Sequence, residues 1–152
     1  MIDSVDPFIG TGATELVAPS GLAATWWWPK PQVGNTHPGA VAPFGMVSAG
    51  AYSGAYPTGY GIHQLSTEGV PGVLRNRLEA SGFTHFQQSG TGAIRRYYNY
   101  VRVTPMLEPL DALGASWELT DEVAEPGYYA TTLDARLRCE LTVGAKSAVH
   151  RY

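Results

Sequence analysis

The sequence predicts an all-β protein built of antiparallel sheets and many turns, and three observations carry that prediction. Glycine occurs 18 times and proline 11 times in 152 residues, and both are spread along the chain. These residues punctuate turns and interrupt helices. Charged side chains make up 15% against 44% hydrophobic, so the pieces between turns are apolar and weakly charged. In the last third, apolar and polar residues alternate with the period of two that a half-buried strand requires. Leu137, Cys139, Leu141 and Val143 share one face there, and Arg138, Glu140 and Thr142 share the other.

Taken in order, Asp3 to Gly12 is an extended segment restrained by Pro7 and closed by a Gly-Thr-Gly turn; Val5, Phe8 and Ile9 can start a core. Residues 13–32 are irregular, because Pro19, Pro29 and Pro31 exclude a regular helix or a central strand. The run Trp26-Trp27-Trp28 lies within them; in an extended backbone Trp27 faces opposite to its neighbours. An indole there can serve as a platform for the C–H face of a sugar, or it can plug a core or a domain contact. Residues 34–50 form a Gly/Pro-punctuated loop carrying Asn35, Thr36 and His37, followed by a short strand around Phe44 to Ser48. His37 reads as a structural hydrogen-bonder or, beside Asn and Thr, as a ligand contact. Tyr52, Tyr56 and Tyr60 sit in the next loop, with a turn at Pro57-Thr58-Gly59. Pro71 to Ala80 is predicted as the one short helix, with Val73, Leu74 and Leu78 at helical spacing and Gly82 as its cap.

Ser81 to Met106 is the stretch around which the chain is organised. Its first half sets His85, Gln87, Gln88, Ser89 and Thr91 among Gly82, Gly90 and Gly92, and its second half, Tyr97 to Thr104, alternates as a strand. A glycine-hinged polar loop on a rigid strand is a common way to present a binding group, although the same residues also make ordinary turns. Four further strands are predicted at Trp117 to Thr120, Tyr128 to Leu133, Leu137 to Val143 and Ser147 to Tyr152. Turns fall at Asp134 to Arg136 and Gly144 to Lys146. Glu118, Asp121, Glu122 and Glu125 read as a solvated turn. The chain stops at Tyr152 within an alternating stretch, which reads as a truncated domain.

Several chemistries are disfavoured. No phosphate-binding glycine loop, nucleophile elbow or metal-spaced histidine pair is present. A net charge of −3 gives no attraction to nucleic acid or acidic membranes. No apolar run approaches the roughly 20 residues of a membrane span. Cys139 is alone, so no internal disulfide can form. The start of the chain shows no secretory leader, which points to the cytoplasm. No pair of carboxylates is singled out for glycoside hydrolysis.

With these residues in view the chain resembles glycoside hydrolase family 92, the calcium-dependent, exo-acting α-mannosidases. The matching pieces are VDPFIGTG from Val5, GNTHPGAVAPFGM from Gly34, GFTH and SGTG between Gly82 and Gly92, PGYY from Pro126, and ELT to HRY between Glu140 and Tyr152. They occur in the family's order across nearly the whole chain. The resemblance implies an antiparallel β-sandwich of the galactose-mutarotase-like supersandwich type, incomplete here, that packs on a C-terminal (α/α)6 barrel. It implies hydrolysis of α-mannosidic bonds with inversion. The acid, the base and most ligands of the calcium ion would lie on the barrel, so this chain alone would be inactive and would hold neither catalytic nor metal residues. Its share would be contacts to a mannose-containing oligosaccharide from His85, Gln87, Asn35, His37, Trp27, Tyr60 and Arg95.

Two departures stand out. Gln87 occupies a position where a second histidine is common, and Ala93 to Tyr97 replaces an acidic, glycine-bearing continuation. The pair Arg95-Arg96 would favour an anionic leaving group, or it would form a surface salt bridge. Two other functions compete with a catalytic partner domain. One is a free-standing carbohydrate-binding module using the tryptophan run; the other is a structural sandwich that braces a barrel.

Overall fold

The computed structural model describes residues 4–11, 36–54, 58–61, 63–65, 71–74, 77–87, 101–107 and 114–152. Eleven strands occur among them and no helix. They are β1 (Ala40–Val41), β2 (Ser48–Ala51), β3 (His63–Leu65), β4 (Pro71–Leu74), β5 (Glu79–Ala80) and β6 (Phe83–Thr84), followed by β7 (Arg102–Val103), β8 (Trp117–Glu125), β9 (Tyr128–Leu133), β10 (Leu137–Val143) and β11 (Ala148–Arg151). They form a four-stranded sheet in the order β1-β2-β6-β7, a five-stranded sheet in the order β11-β10-β9-β8-β5, and the β3-β4 pair. All strand pairings are antiparallel. β1 and β2 pack on β9 and β10, which makes an all-β sandwich.

The core lies between the sheets, where Phe83, Leu119, Tyr129, Leu133, Cys139 and Leu141 meet Ala40, Ala49 and Ala51. The alternation read in β10 holds: Cys139 and Leu141 are fully buried, while Arg138 and Thr142 are exposed. The β9–β10 turn places Asp134 and Ala135 at φ 46° and 52°. Both central residues are thus left-handed, the backbone that a tight hairpin needs to match strand twist.

The predicted helix at Pro71 to Ala80 is a correction. Pro71–Leu74 is strand β4, paired with β3, and Glu79–Ala80 is strand β5, paired with β8. A ten-residue helix with Gly72 in its first turn is marginal on its own. Its Glu79 and Ala80 instead pair with Glu118 and Trp117. The strand expected around Phe44 to Ser48 is also corrected. Gly45 donates to the carbonyl of Ala42 in a turn, Phe44 sits at φ 55°, and the strand begins only at Ser48. Of the strand expected from Tyr97, only residues from 101 on are described, and Arg102–Val103 is β7.

The third correction concerns the acidic run. β8 continues through Glu118, Asp121 and Glu122 to Glu125 rather than ending in a solvated turn. It carries a bulge: Thr120 pairs with Thr132 and Val123 with Ala130, so Asp121 and Glu122 together oppose Thr131. Asp121, at φ 49°, supplies the left-handed residue. One extra residue reverses which side chains face inward. Leu119 points in before the bulge; after it Val123 is exposed and Glu122 turns inward.

Candidate functional site

His37, His85 and Gln87 come together around Ser48. The Ser48 N–H donates to the His85 carbonyl at 3.0 Å, and the Ser48 carbonyl accepts the Gln87 N–H at 3.2 Å. This short parallel bridge holds His85 and Gln87 on either side of Phe86. The side chain of Ser48 lies 3.3 Å from His37 Nε2, and His37 Nδ1 accepts the Gly39 N–H at 3.2 Å. With Nδ1 as acceptor, the neutral ring carries its proton on Nε2 and donates to Ser48. Burial pulls the His37 pKa down to about 4, so the ring is neutral near pH 7.

Gln87 is buried beneath this bridge. Its amide N–H donates to the Ala51 carbonyl, and its Oε1 has no hydrogen-bond partner. The oxygen lies against Gly39 and Gly50. A Cβ on Gly39 would stand 2.8 Å from it and 2.7 Å from the Ala49 carbonyl, and a Cβ on Gly50 would collide with it outright. These two positions need glycine because the amide occupies the space a side chain would fill.

His85 reaches from the end of β6 to β11. Its Nε2 lies 2.7 Å from Nε2 of His150, whose Nδ1 lies 2.7 Å from the Tyr152 hydroxyl. His150 and Ala148 face inward on β11, while Val149 and Arg151 face out. Phe83 packs against the His150 and Tyr152 rings, with centroids 6.3 and 6.2 Å away. Burial, and then the neighbouring His85, lower the His150 pKa; burial raises the Tyr152 phenol to about 12.

A second polar cluster lies deeper. The inward-turned Glu122 accepts hydrogen bonds from Tyr60 at 3.0 Å and from Tyr129 at 2.5 Å. Burial raises the Glu122 carboxyl above its ordinary range, against the lowering effect of the two phenols. Tyr60 is only 4% exposed, so its ring packs in the core and its hydroxyl is committed to Glu122. Glu140 on the outer face is likewise held, by Tyr128 at 2.7 Å and by Arg151. A cleft of about 330 Å³ opens elsewhere, between Tyr52, Ser81, Arg102 and Ser116. Arg102 there donates to Ser81 at 3.0 Å and lies over the Tyr52 ring.

Asn35, Trp27 and Arg95 lie outside the described residues. Ser48, His150 and Glu122 were missed in the sequence. Ser48 has no motif to mark it, and Glu122 faces inward only because of the bulge. His150 could have been found, since it alternates in phase with Ala148 on a predicted strand. The described residues do not fit a calcium ion, which takes six to eight oxygen ligands. Among them no three acidic, histidine or cysteine side chains cluster closely enough to hold a metal.

The model of the glycosyl hydrolase family 92 N-terminal domain matches residues 4–152. Two solved structures of the family 92 α-mannosidase BT3965 from Bacteroides thetaiotaomicron share the fold. One matches at TM-score 0.58 and 24% identity, and covers 98% of this chain and 18% of its own. The other, in complex with mannoimidazole, matches at TM-score 0.59 and 23% identity, with 98% and 17% covered. The chain therefore spans less than a fifth of the length of these relatives. No curated protein is significantly similar.

Proposed function

The chain belongs to glycosyl hydrolase family 92, as its N-terminal domain, and from that premise we propose that it forms one wall of the mannose site of an α-mannosidase. The observation that carries the reading is the bridge around Ser48. It fixes His85 beside a sheet edge, with a half-buried ring backed by His150. An imidazole held this way suits a sugar hydroxyl, because the ring nitrogen turned away from His150 is left to hydrogen-bond to it. His37 and Gln87 support the wall from beneath. Support also comes from the relative solved with mannoimidazole, a mannose-like ligand.

Inverting hydrolysis needs an acid and a base held on opposite faces of the sugar, roughly 6.5–9.5 Å apart. Glu122 is occupied by two phenols and Glu140 by a phenol and a guanidinium. In this reading both proton-transfer groups and the calcium ligands belong to a companion (α/α)6 barrel. The test is hydrolysis of an aryl α-mannoside by the 152-residue chain with added calcium. No turnover above the uncatalysed rate is expected, and turnover proportional to the chain would refute the division of labour. The burial of Tyr60, His37 and Gln87 favours one other reading, a sandwich that only braces the barrel. The two are separated by substituting His85, the least buried of the four.

A further inference from the structure

The row His85–His150–Tyr152 has a direction. Only one proton fits between the two facing Nε2 atoms, which lie 2.7 Å apart. Which ring carries it is decided at the other end, where the Tyr152 hydroxyl meets His150 Nδ1. A phenol is the better donor and an imidazole nitrogen the better acceptor, so Tyr152 O–H donates to Nδ1. The opposite arrangement would leave the phenol hydrogen without a partner among the described residues. His150 then carries its proton on Nε2 and donates it to His85 Nε2. The remaining His85 proton must sit on Nδ1, which makes no hydrogen bond among the described residues. Burial keeps the Tyr152 phenol protonated throughout the neutral range, so the donor at the start of the row is not lost.

We infer that Tyr152 and His150 are positioning residues that hold His85 as its Nδ1–H tautomer, so that the ring offers a hydrogen-bond donor, not a base, to an oxygen of the bound sugar. The part concerning sugar rests on the function proposed above; the tautomer does not. The arrangement ties the two sheets together at this point, because His85 follows β6 and His150 lies on β11. It also explains the aromatic packing of Phe83 on both partners, which fixes the plane of the His150 ring.

The experiment is nitrogen-15 NMR of the histidine rings in the full chain at pH 8. The account expects the protonated, pyrrole-type nitrogen of His85 to be Nδ1 in a single tautomer. A mixed tautomer, or one protonated at Nε2, overturns it, and this needs no variant. Tyr152→Phe should shift His85 toward a tautomer mixture. His150→Gln, whose amide can still donate to His85 Nε2, should keep the Nδ1–H form, whereas His150→Leu should lose it. An unchanged His85 tautomer in both Tyr152→Phe and His150→Leu removes their positioning role. Methyl α-mannoside is then titrated into a family 92 enzyme that carries this domain joined to its barrel. A shift of the His85 Nδ1–H signal supports the sugar contact; a locked tautomer with no response upholds the row but refutes the proposed site.

Discussion

Acidification should unfold this domain through His37, and the size of the effect follows from its surroundings. The ring is 8% exposed and accepts the Gly39 N–H through Nδ1. Protonation would place a buried charge there and turn that acceptor into a donor facing another donor. The folded ring therefore binds its proton only near pH 4, whereas the unfolded chain binds it at 6.5. Between these values the unfolded state holds more protons, so stability falls as pH falls. It is fully present above 6.5, is lost progressively toward 4, and then levels off. At roughly 1.4 kcal/mol per pH unit, the loss between pH 7.5 and 4 is about 3 kcal/mol. Other groups titrate over the same range, so the measurement is a difference. Urea unfolding is followed by circular dichroism at several pH values for the wild type and for His37→Asn, whose side chain can still accept from Gly39. The wild-type advantage should shrink by about 3 kcal/mol over this range. Two curves that stay parallel would show that His37 is not a buried neutral ring, and the reasoning would fail.

Four further outcomes are expected. Gly50→Ala drives a Cβ into Gln87 Oε1 and to 3.0 Å from the Gly39 Cα; it should cost about 1–3 kcal/mol, and part of this should return in the double variant with Gln87→Ala, read by thermal unfolding. Tyr129→Phe removes a hydrogen bond to a carboxyl and should cost about 2 kcal/mol at neutral pH. Glu122→Gln acts in the other direction: because burial raises the Glu122 carboxyl, the stability it contributes is present at acid pH and lost as pH rises through its folded pKa. The substitution should therefore help more at pH 8 than at pH 4, which matched denaturation curves would show. Cys139 is fully buried with its thiol pushed up to about 12. A thiol reagent at pH 8 should label it only on unfolding, and rapid labelling of the native chain would contradict the packing of β10.

Where the chain alternates with period two and is bounded by turn residues, its structure was legible. Tyr128–Leu133 and Leu137–Val143 are strands with the bounds the pattern suggests, because hairpin pairing is local and one face is buried. Pro71 to Ala80 misled because its three apolar positions fit a helix, while the distant partners that make it strand, near His63 and Trp117, cannot be seen in the local pattern. The acidic run misled for a related reason. A bulge adds no composition signal beyond one Asp able to take a left-handed backbone, yet it reverses the direction of Glu122. In the site, His37, His85 and Gln87 were recognisable as polar residues in glycine-rich loops. Their meeting point, Ser48, was not, since it arises where the start of β2 bridges the chain beyond β6 at Phe86, a distant pairing that no local pattern shows. The inward phase of His150 was present in the pattern, but its partner His85 lies on the other sheet.

The most direct measurement is kcat/KM for an α-mannoside in a family 92 enzyme that carries this domain joined to its barrel, compared between His85 and His85→Ala, with thermal stability followed in parallel. The account expects kcat/KM to fall at least about tenfold, the worth of one hydrogen bond of roughly 1.4 kcal/mol to the sugar, out of proportion to any change in stability. Unchanged kcat/KM alongside a lowered unfolding temperature would mean that the sandwich braces the enzyme and does not touch its substrate.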